Sequence, residues 1–593
     1  MKLTYLIVFF FLSVFLASAQ SEQLAKNYAE QGEYGKAIAT YEALLKKFPV
    51  AENYLLGLVE AYQQLERFDD TEAQLKKAIQ LRPHSGQLLV ELGYNYELAG
   101  KTVLATESYT KAIETVNENP AYAFGVGRAF EKYSLLDEAV VTYTKAASLG
   151  SPGSFDVQLA RIYGEQGKVE DMLSTYIDLI IRDEKYYFLA QRNFGQFITE
   201  NPENKANQTF KRLLLQKSQA EPNVLYNRLL SWLFVSQGDF LKAFVQEKAI
   251  VKRNENMSSM VTLASNALDA EAYEDAVTIL NYIKEESLSA ALIFSVEQRL
   301  LQIAVATAEA EGFEKIHERF KNLLDQYGRT PRTFSLQLDA AHFSAFKMNR
   351  PEEAITAINT LLEQPISPFQ KARAKILLGD MMVLQGRFNS ALIYYTQAQK
   401  GVDNDVLAQE ARFKVAKTSY YKGDFDWAKT QLKVLKSSAS KLTANDAQQL
   451  FLLITDNSYG DSTQVALKQF ARADLLAFQE KQDEAILAYG EILTNYKGES
   501  IEDEALLAQA KLYESRGNFA EAEQNYITII TFFKDDILAD DAYYYLANLY
   551  VEKLNDPEKA KQNYEQIIFN HEDSIYYVEA QRKYRELRGD VVN

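Results

Sequence analysis

A self-similar segment constrains this chain more than any other feature. Residues 24–49 carry Leu24, Ala25, Tyr28, Gly32, Ala37, Tyr41, Leu44 and Pro49, and the pattern returns 34 residues later as Leu58, Tyr62, Leu75, Ala78 and Pro83. It comes back as Leu92, Gly93, Tyr96, Gly100, Ala105, Tyr109 and Ala112, then as Val126, Gly127, Phe130, Ala139, Tyr143 and Ala146. A fifth copy has Leu159, Ala160, Tyr163, Gly167, Met172, Tyr176 and Leu179. Repetition at a fixed period of this length is the mark of stacked supersecondary units, none of which buries its apolar face alone.

Each position has a physical reason. Apolar and aromatic residues three and four apart give one sticky helix face. The glycines Gly32, Gly100 and Gly167 end a first helix, where a left-handed residue caps it cheaply. Pro49 and Pro83 stop a second helix. The small residues Ala25, Gly93, Gly127 and Ala160 of the first helix are expected to face the alanines Ala37, Ala105 and Ala139 of the second. The pattern resembles the tetratricopeptide repeat (TPR) family. That resemblance implies an all-α fold, an α-solenoid of antiparallel helix pairs wound into a right-handed superhelix.

Looser copies follow, marked by Gly238 with Ala243, Ala264 with Ala276, and Ala354. A strong one has Leu378, Gly379, Gly386, Ala391, Tyr395 and Ala398, and four more run through Ala428, Ala485, Ala522 and Ala560. The early copies step by 34 residues and the late ones by 37 or 38. Thirteen copies are recognisable in all, with gaps at 172–243, 276–354 and 428–485 that leave room for degenerate ones. The expected organisation is a signal peptide over 1–19, an N-terminal solenoid over 20–180, a degenerate helical middle over 181–365 and a C-terminal solenoid over 366–593. Polar stretches at Glu200–Thr209 and Lys436–Asp446 are the expected breaks.

The first residues, Met1-Lys2, an apolar run from Leu3 to Leu16 and then Ala17-Ser18-Ala19, have the three parts of a secretory signal peptide. The run is shorter than the roughly 20 residues that span a bilayer, so cleavage after Ala19 is expected. No integral membrane segment is expected afterwards. Cysteine is absent, which removes disulfides, thiolate metal sites and cysteine nucleophiles together. It also removes the residue that anchors bacterial lipoproteins. The expected location is periplasmic, or otherwise exported.

Catalytic signatures are missing. His84, His317, His342 and His571 are far apart, and no metal-binding or nucleophile motif accompanies them. No catalytic residue, cofactor site or metal site is expected, and the chain reads as a non-enzyme. With a formal charge of −17 and no long basic run, nucleic acid is an unsuitable partner. Other proteins remain.

In a TPR superhelix the first helices line the concave groove. The resemblance places in that groove the residue two after the leucine, which gives the column Lys26, Glu60, Tyr94, Arg128 and Arg161, with Phe124 one turn before Arg128. Aromatic and arginine side chains are the usual anchors of protein interfaces, so Tyr94, Phe124, Arg128 and Arg161 are the candidate binding residues. A later column reads Asp380, Lys417, Lys511 and Asn548, with Tyr420 and Tyr544 nearby. Glu22 and Lys26 stand where some TPR proteins carry a Lys/Asn/Arg clamp for a C-terminal carboxylate, so that clamp is not expected.

The run Phe569–Arg582 resembles, by spacing, TPR proteins of the bacterial cell envelope, namely the lipoprotein of the outer-membrane assembly machine and the periplasmic partner of the Tol-Pal system. That implies partners in the envelope. Three readings stay open: an exported adaptor for envelope or secretion proteins, a structural spacer or self-assembling scaffold, and an enzyme hidden in the irregular middle.

Overall fold

The computed structural model describes residues 21–150, 155–254, 256–402, 406–435, 441–458 and 463–590. The signal peptide expected over 1–19 lies outside the described residues, as do positions 436–440 at the start of the second expected break. Among the described residues the secondary structure is helical, without strands, and consecutive helices pack as antiparallel pairs. This is the expected all-α helical-repeat solenoid. In copies two to five the first helices, called A, are Glu52–Gln64, Gly86–Leu98, Ala123–Lys132 and Asp156–Glu165. The second helices, called B, are Phe68–Leu81, Thr102–Glu118, Leu136–Ser148 and Val169–Arg182.

Between A and B the chain reverses through one residue in the left-handed region. That residue is Gly32, Glu66, Gly100, Ser134 or Gly167 in the first five copies, with φ between 54° at Glu66 and 76° at Gly32. It is Gly238, Glu271, Asn349, Gly386, Gly423, Glu480, Gly517 and Asn555 in the later ones. A side chain in this conformation crowds the following carbonyl at a cost of roughly 1 kcal/mol. The turn is therefore fixed by the packing of its two helices even where glycine is absent.

The small A-helix residues expected to face helix-B alanines also, where they are glycine, make room for an aromatic ring of helix B. A Cβ built on Gly93 would stand 2.3 Å from Tyr109 Cε1, one on Gly127 2.3 Å from Tyr143 Cζ, and one on Gly379 2.3 Å from Tyr395 Cε1. In the second copy Val59 and Leu75 occupy the corresponding places, and both are buried in the same core cluster.

The chain divides into two compact units, Met1–Ile279 and Leu280–Asn593. The boundary falls within the span 181–365. That span holds helices such as Lys205–Ala220, Val224–Ser236 and Phe240–Asn254, so the N-terminal unit continues well past residue 180. At the break expected over Glu200–Thr209 only a short turn occurs. The helix Lys205–Ala220 starts at once, capped by Asn204, whose Oδ1 accepts from Ala206 N at 2.8 Å.

Two features of the C-terminal unit add to the sequence reading. The gap at 428–485 holds a single helix, Lys441–Asp456, between the pairs on either side. The helix Ala290–Thr307, 18 residues with a mean hydropathy of 1.2, is apolar and long enough by composition to cross a membrane, which the sequence reading did not expect. In the fold its Val296, Leu300, Leu301 and Ile303 are buried, and Glu297 in its middle binds Lys284.

The same unit contains a junction between distant copies. Lys347 and Glu480 form an ion pair at 3.2 Å, Gln479 Nε2 donates to the Leu384 carbonyl at 3.0 Å, and the rings of Phe346 and Phe478 meet edge to face at 5.9 Å. A-to-B turns separated by more than a hundred residues therefore touch.

Candidate protein-binding site

The A helices of the N-terminal unit carry the four residues singled out from the sequence. Tyr94 is half-buried, and its ring stacks on that of Tyr133, centroid to centroid 3.6 Å with 15° between planes. The Tyr133 hydroxyl donates to Glu91, and Lys132 Nζ lies 3.2 Å from the same carboxylate. Glu91 is only 1% exposed, so this buried charge is matched by a cation and a hydroxyl, as a desolvated carboxylate requires. Burial, and next the Glu91 charge, push the Tyr133 hydroxyl well above its ordinary range. Tyr94 is thus held from inside.

Phe124 and Arg128 are brought together one turn apart. Phe124 is 47% exposed, and the Arg128 guanidinium lies 5.7 Å from its ring centroid, within cation–π range. Among the described residues Arg128 makes no ion pair. Arg161, one copy further on, is engaged differently. It binds Glu131 of the preceding copy and Glu165 on its own helix at 2.8 Å, and Glu131 also accepts the Tyr143 hydroxyl at 2.7 Å. Sequence reasoning missed Glu91, Lys132 and Tyr133, which no periodicity marks.

That bond belongs to a recurring arrangement. The helix-B tyrosine of a copy donates to an acceptor on its own helix A. Tyr109 reaches Glu97 at 2.6 Å and Tyr526 reaches Glu514 at 2.6 Å. Tyr395 reaches Asp380 at 2.6 Å, Tyr489 reaches Asp474 at 2.7 Å and Tyr564 reaches Asn548 at 2.6 Å. The late column is therefore spent partly on internal bonds, since Asp380 also binds Lys414 at 2.8 Å and Asn548 also binds Lys583 at 2.8 Å. Tyr420, expected near that surface, is fully buried. Tyr544 stacks on Tyr576 at 4.2 Å.

Among the described residues no group of three or more His, Asp or Glu side chains could hold a metal ion. His84 sits 2.6 Å from Glu118, and His342 stacks on Phe346 at 4.6 Å. The geometry offers an exposed ring, an unpaired guanidinium beside it and neighbours locked by internal bonds. That combination suits recognition of a protein surface, where rigid aromatic and arginine groups contribute most.

Helix pairs repeated along the chain with such a surface define a helical-repeat scaffold. By family comparison residues 23–86 match one tetratricopeptide-repeat model and residues 541–574 match another. Repeats of this kind are protein–protein interaction scaffolds. No curated protein matches the chain. Among solved structures the chain is similar to one in the structure of Naa15/Naa10 bound to HypK-THB, 12% identical over 97% of this chain and 96% of that one, with a TM-score of 0.27. It is also similar to a chain of the APC/C hetero-tetramer Cut9–Hcn1, 13% identical over 97% and 98% at a TM-score of 0.23. The P58(IPK) TPR domain matches at 13% identity over 73% and 97%, with a TM-score of 0.18.

Proposed function

We propose that the protein is a non-catalytic adaptor, exported to the bacterial periplasm, whose A-helix face in the N-terminal unit docks other proteins of the cell envelope. The observation that carries the docking surface is the Phe124–Arg128 pair, a half-exposed ring under a guanidinium that no carboxylate of the described chain neutralises. Export is supported by the apolar run Leu3–Leu16 followed by Ala17-Ser18-Ala19. The envelope assignment rests on the spacing of Phe569–Arg582.

The test is chemical cross-linking in the native envelope followed by purification of the intact chain. A stoichiometric partner is expected, released by Arg128→Glu combined with Arg161→Glu while helix content is unchanged. A partner that stays bound to the double variant places the docking surface elsewhere. Finding the chain in the cytoplasmic fraction with its first residues intact rules out export.

A further inference from the structure

The exposed pair Phe124–Arg128 has a counterpart two copies further along the N-terminal unit. Ahead of the helix Ala123–Lys132 the chain makes one 3₁₀ turn, Pro120–Tyr122, opened by the Asn119 side chain, which accepts from Ala121 N. The same order of elements returns as the turn Glu184–Tyr186, opened by the Asp183 side chain through Lys185 N, and the helix Tyr187–Phe194. Buried positions coincide as well. They are Ala123, Val126 and Phe130 in the first helix and Tyr187, Ala190 and Phe194 in the second. In this register Phe188 stands where Phe124 does, and Arg192 where Arg128 does.

Both members of the second pair face solvent. Phe188 is 76% exposed, more than Phe124, and its ring meets the buried Tyr187 edge to face at 5.6 Å. Arg192 is exposed and, like Arg128, makes no ion pair among the described residues. The helix between the two pairs, Asp156–Glu165, has Val157 and Arg161 at the same places. There the guanidinium is already matched by Glu131 and Glu165. On the next A helix Arg228 is matched by Glu184. A chain of net charge −17 thus leaves two cations free on its A-helix face, each four residues from an exposed ring.

Spacing decides what fits there. Ring and guanidinium positions four residues apart are separated by about 6 Å along a helix axis, and neighbouring residues of an extended chain point to opposite sides. A chain crossing the helices therefore sets an apolar side chain on the ring and the adjacent acidic one on the guanidinium. Packed helices lie roughly 8–10 Å apart, so two steps come to about 16–20 Å, or five to six residues of extended chain at about 3.3 Å each. Of these, the even number keeps both acids on one side.

We propose that the A-helix face from Phe124 to Arg192 binds an extended acidic segment of a partner protein, in which two acid–apolar dipeptides stand about six residues apart. Arg128 and Arg192 pair with the two carboxylates, and Phe124 and Phe188 cover the two apolar side chains. Midway, the matched Arg161 and the exposed Glu165 disfavour a further acid. Free guanidiniums and exposed rings are the groups from which protein interfaces draw most of their affinity. This partner chemistry belongs to the docking surface proposed above and rests on that reading.

The test uses the full mature chain and peptides blocked at both ends, each with two Glu-Leu dipeptides in a serine–glycine background, titrated by calorimetry at low salt. With the glutamates set three, six or nine residues apart, the six-residue peptide should bind at least about tenfold tighter than the other two. Its glutamine counterpart should not bind. Phe188→Ser and Arg192→Glu should each weaken binding about tenfold, and circular dichroism checks that these exposed changes leave the helices intact. One of the two single glutamate-to-lysine peptides should bind Arg192→Glu better than it binds the wild-type chain. Equal binding of the three spacings, no binding by the wild-type chain, or full binding by both Phe188→Ser and Arg192→Glu overturns the second pair. If those variants keep the cross-linked partner while Arg128→Glu with Arg161→Glu releases it, the second pair falls and the docking surface stands. If the double charge reversal also leaves the partner bound, the surface itself falls.

Discussion

The ring of Tyr143 occupies the space in which a side chain at Gly127 would lie, with only 2.3 Å between Tyr143 Cζ and a Cβ at that position. Glycine here is a notch cut to fit a ring whose hydroxyl is fixed at 2.7 Å from Glu131. The ring cannot retreat without breaking that bond.

Gly127→Ala should therefore destabilise the N-terminal unit by about 1–3 kcal/mol, the usual cost of overpacking. Urea denaturation followed by circular dichroism measures it. Adding Tyr143→Leu to Gly127→Val reproduces the Val59–Leu75 solution of the second copy and should recover much of the loss. A double variant no more stable than Gly127→Val alone would show that ring and notch are not coupled.

The left-handed turns allow a change in the opposite direction. Glu66 and Ser134 hold φ values of 54° and 57°, which glycine adopts without strain. Ser134→Gly should stabilise the fold by about 0.5–1 kcal/mol, the relief in the folded state exceeding the entropy that glycine adds to the unfolded chain. Thermal unfolding of this variant beside Gly167→Ala, which should move the other way, checks the sign.

Removal of Glu131 separates two roles. Glu131→Ala leaves the Tyr143 hydroxyl without its acceptor, a loss of about 1–3 kcal/mol for a buried group. Arg161 keeps Glu165. Stability should fall, and Glu131→Gln, which keeps an acceptor for the Tyr143 hydroxyl, should recover part of the loss. Urea denaturation of the two variants side by side tests this.

Stability should also depend on pH through Glu504. Burial, and next the adjoining Asp503, raise its carboxyl from 4.5 to about 9. Below pH 4.5 it is protonated in both states. As pH rises, the unfolded chain releases the proton first while the folded chain keeps it, so the stabilisation present at low pH is lost progressively up to about pH 9. Hydrogen exchange in the helix Ile501–Ser515 should quicken over that range beyond the intrinsic rate, and Glu504→Gln should flatten the dependence. Asn457 Nδ2, which donates to Glu504 Oε1 at 3.1 Å, has an acceptor in either form.

The repeat was legible because a few residue types have few alternatives. Gly32, Gly100 and Gly167 stand out at the turn, and Tyr109, Tyr143 and Tyr176 stand out in helix B. The same turn is hidden where Glu66, Ser134, Glu271, Asn349, Glu480 or Asn555 fills it, because these residues reveal nothing until φ is measured. Ring and notch are more than a dozen residues apart, so the sequence shows both without showing that they meet. The surface was legible in part. Position alone led to Phe124 and Arg128, whereas the stacking of Tyr94 on Tyr133 and the engagement of Arg161 depend on neighbouring copies.

The junction of Lys347 with Glu480 changes how the C-terminal unit comes apart. Where each hairpin leans only on its neighbours, a solenoid frays from its free end and can lose one hairpin at a time. A clasp across 133 residues ties the hairpins between its two ends into a single mechanical block. Pulled in an optical trap, the stretch between Lys347 and Glu480 should yield in one large rip, preceded by the small steps of the hairpins outside it.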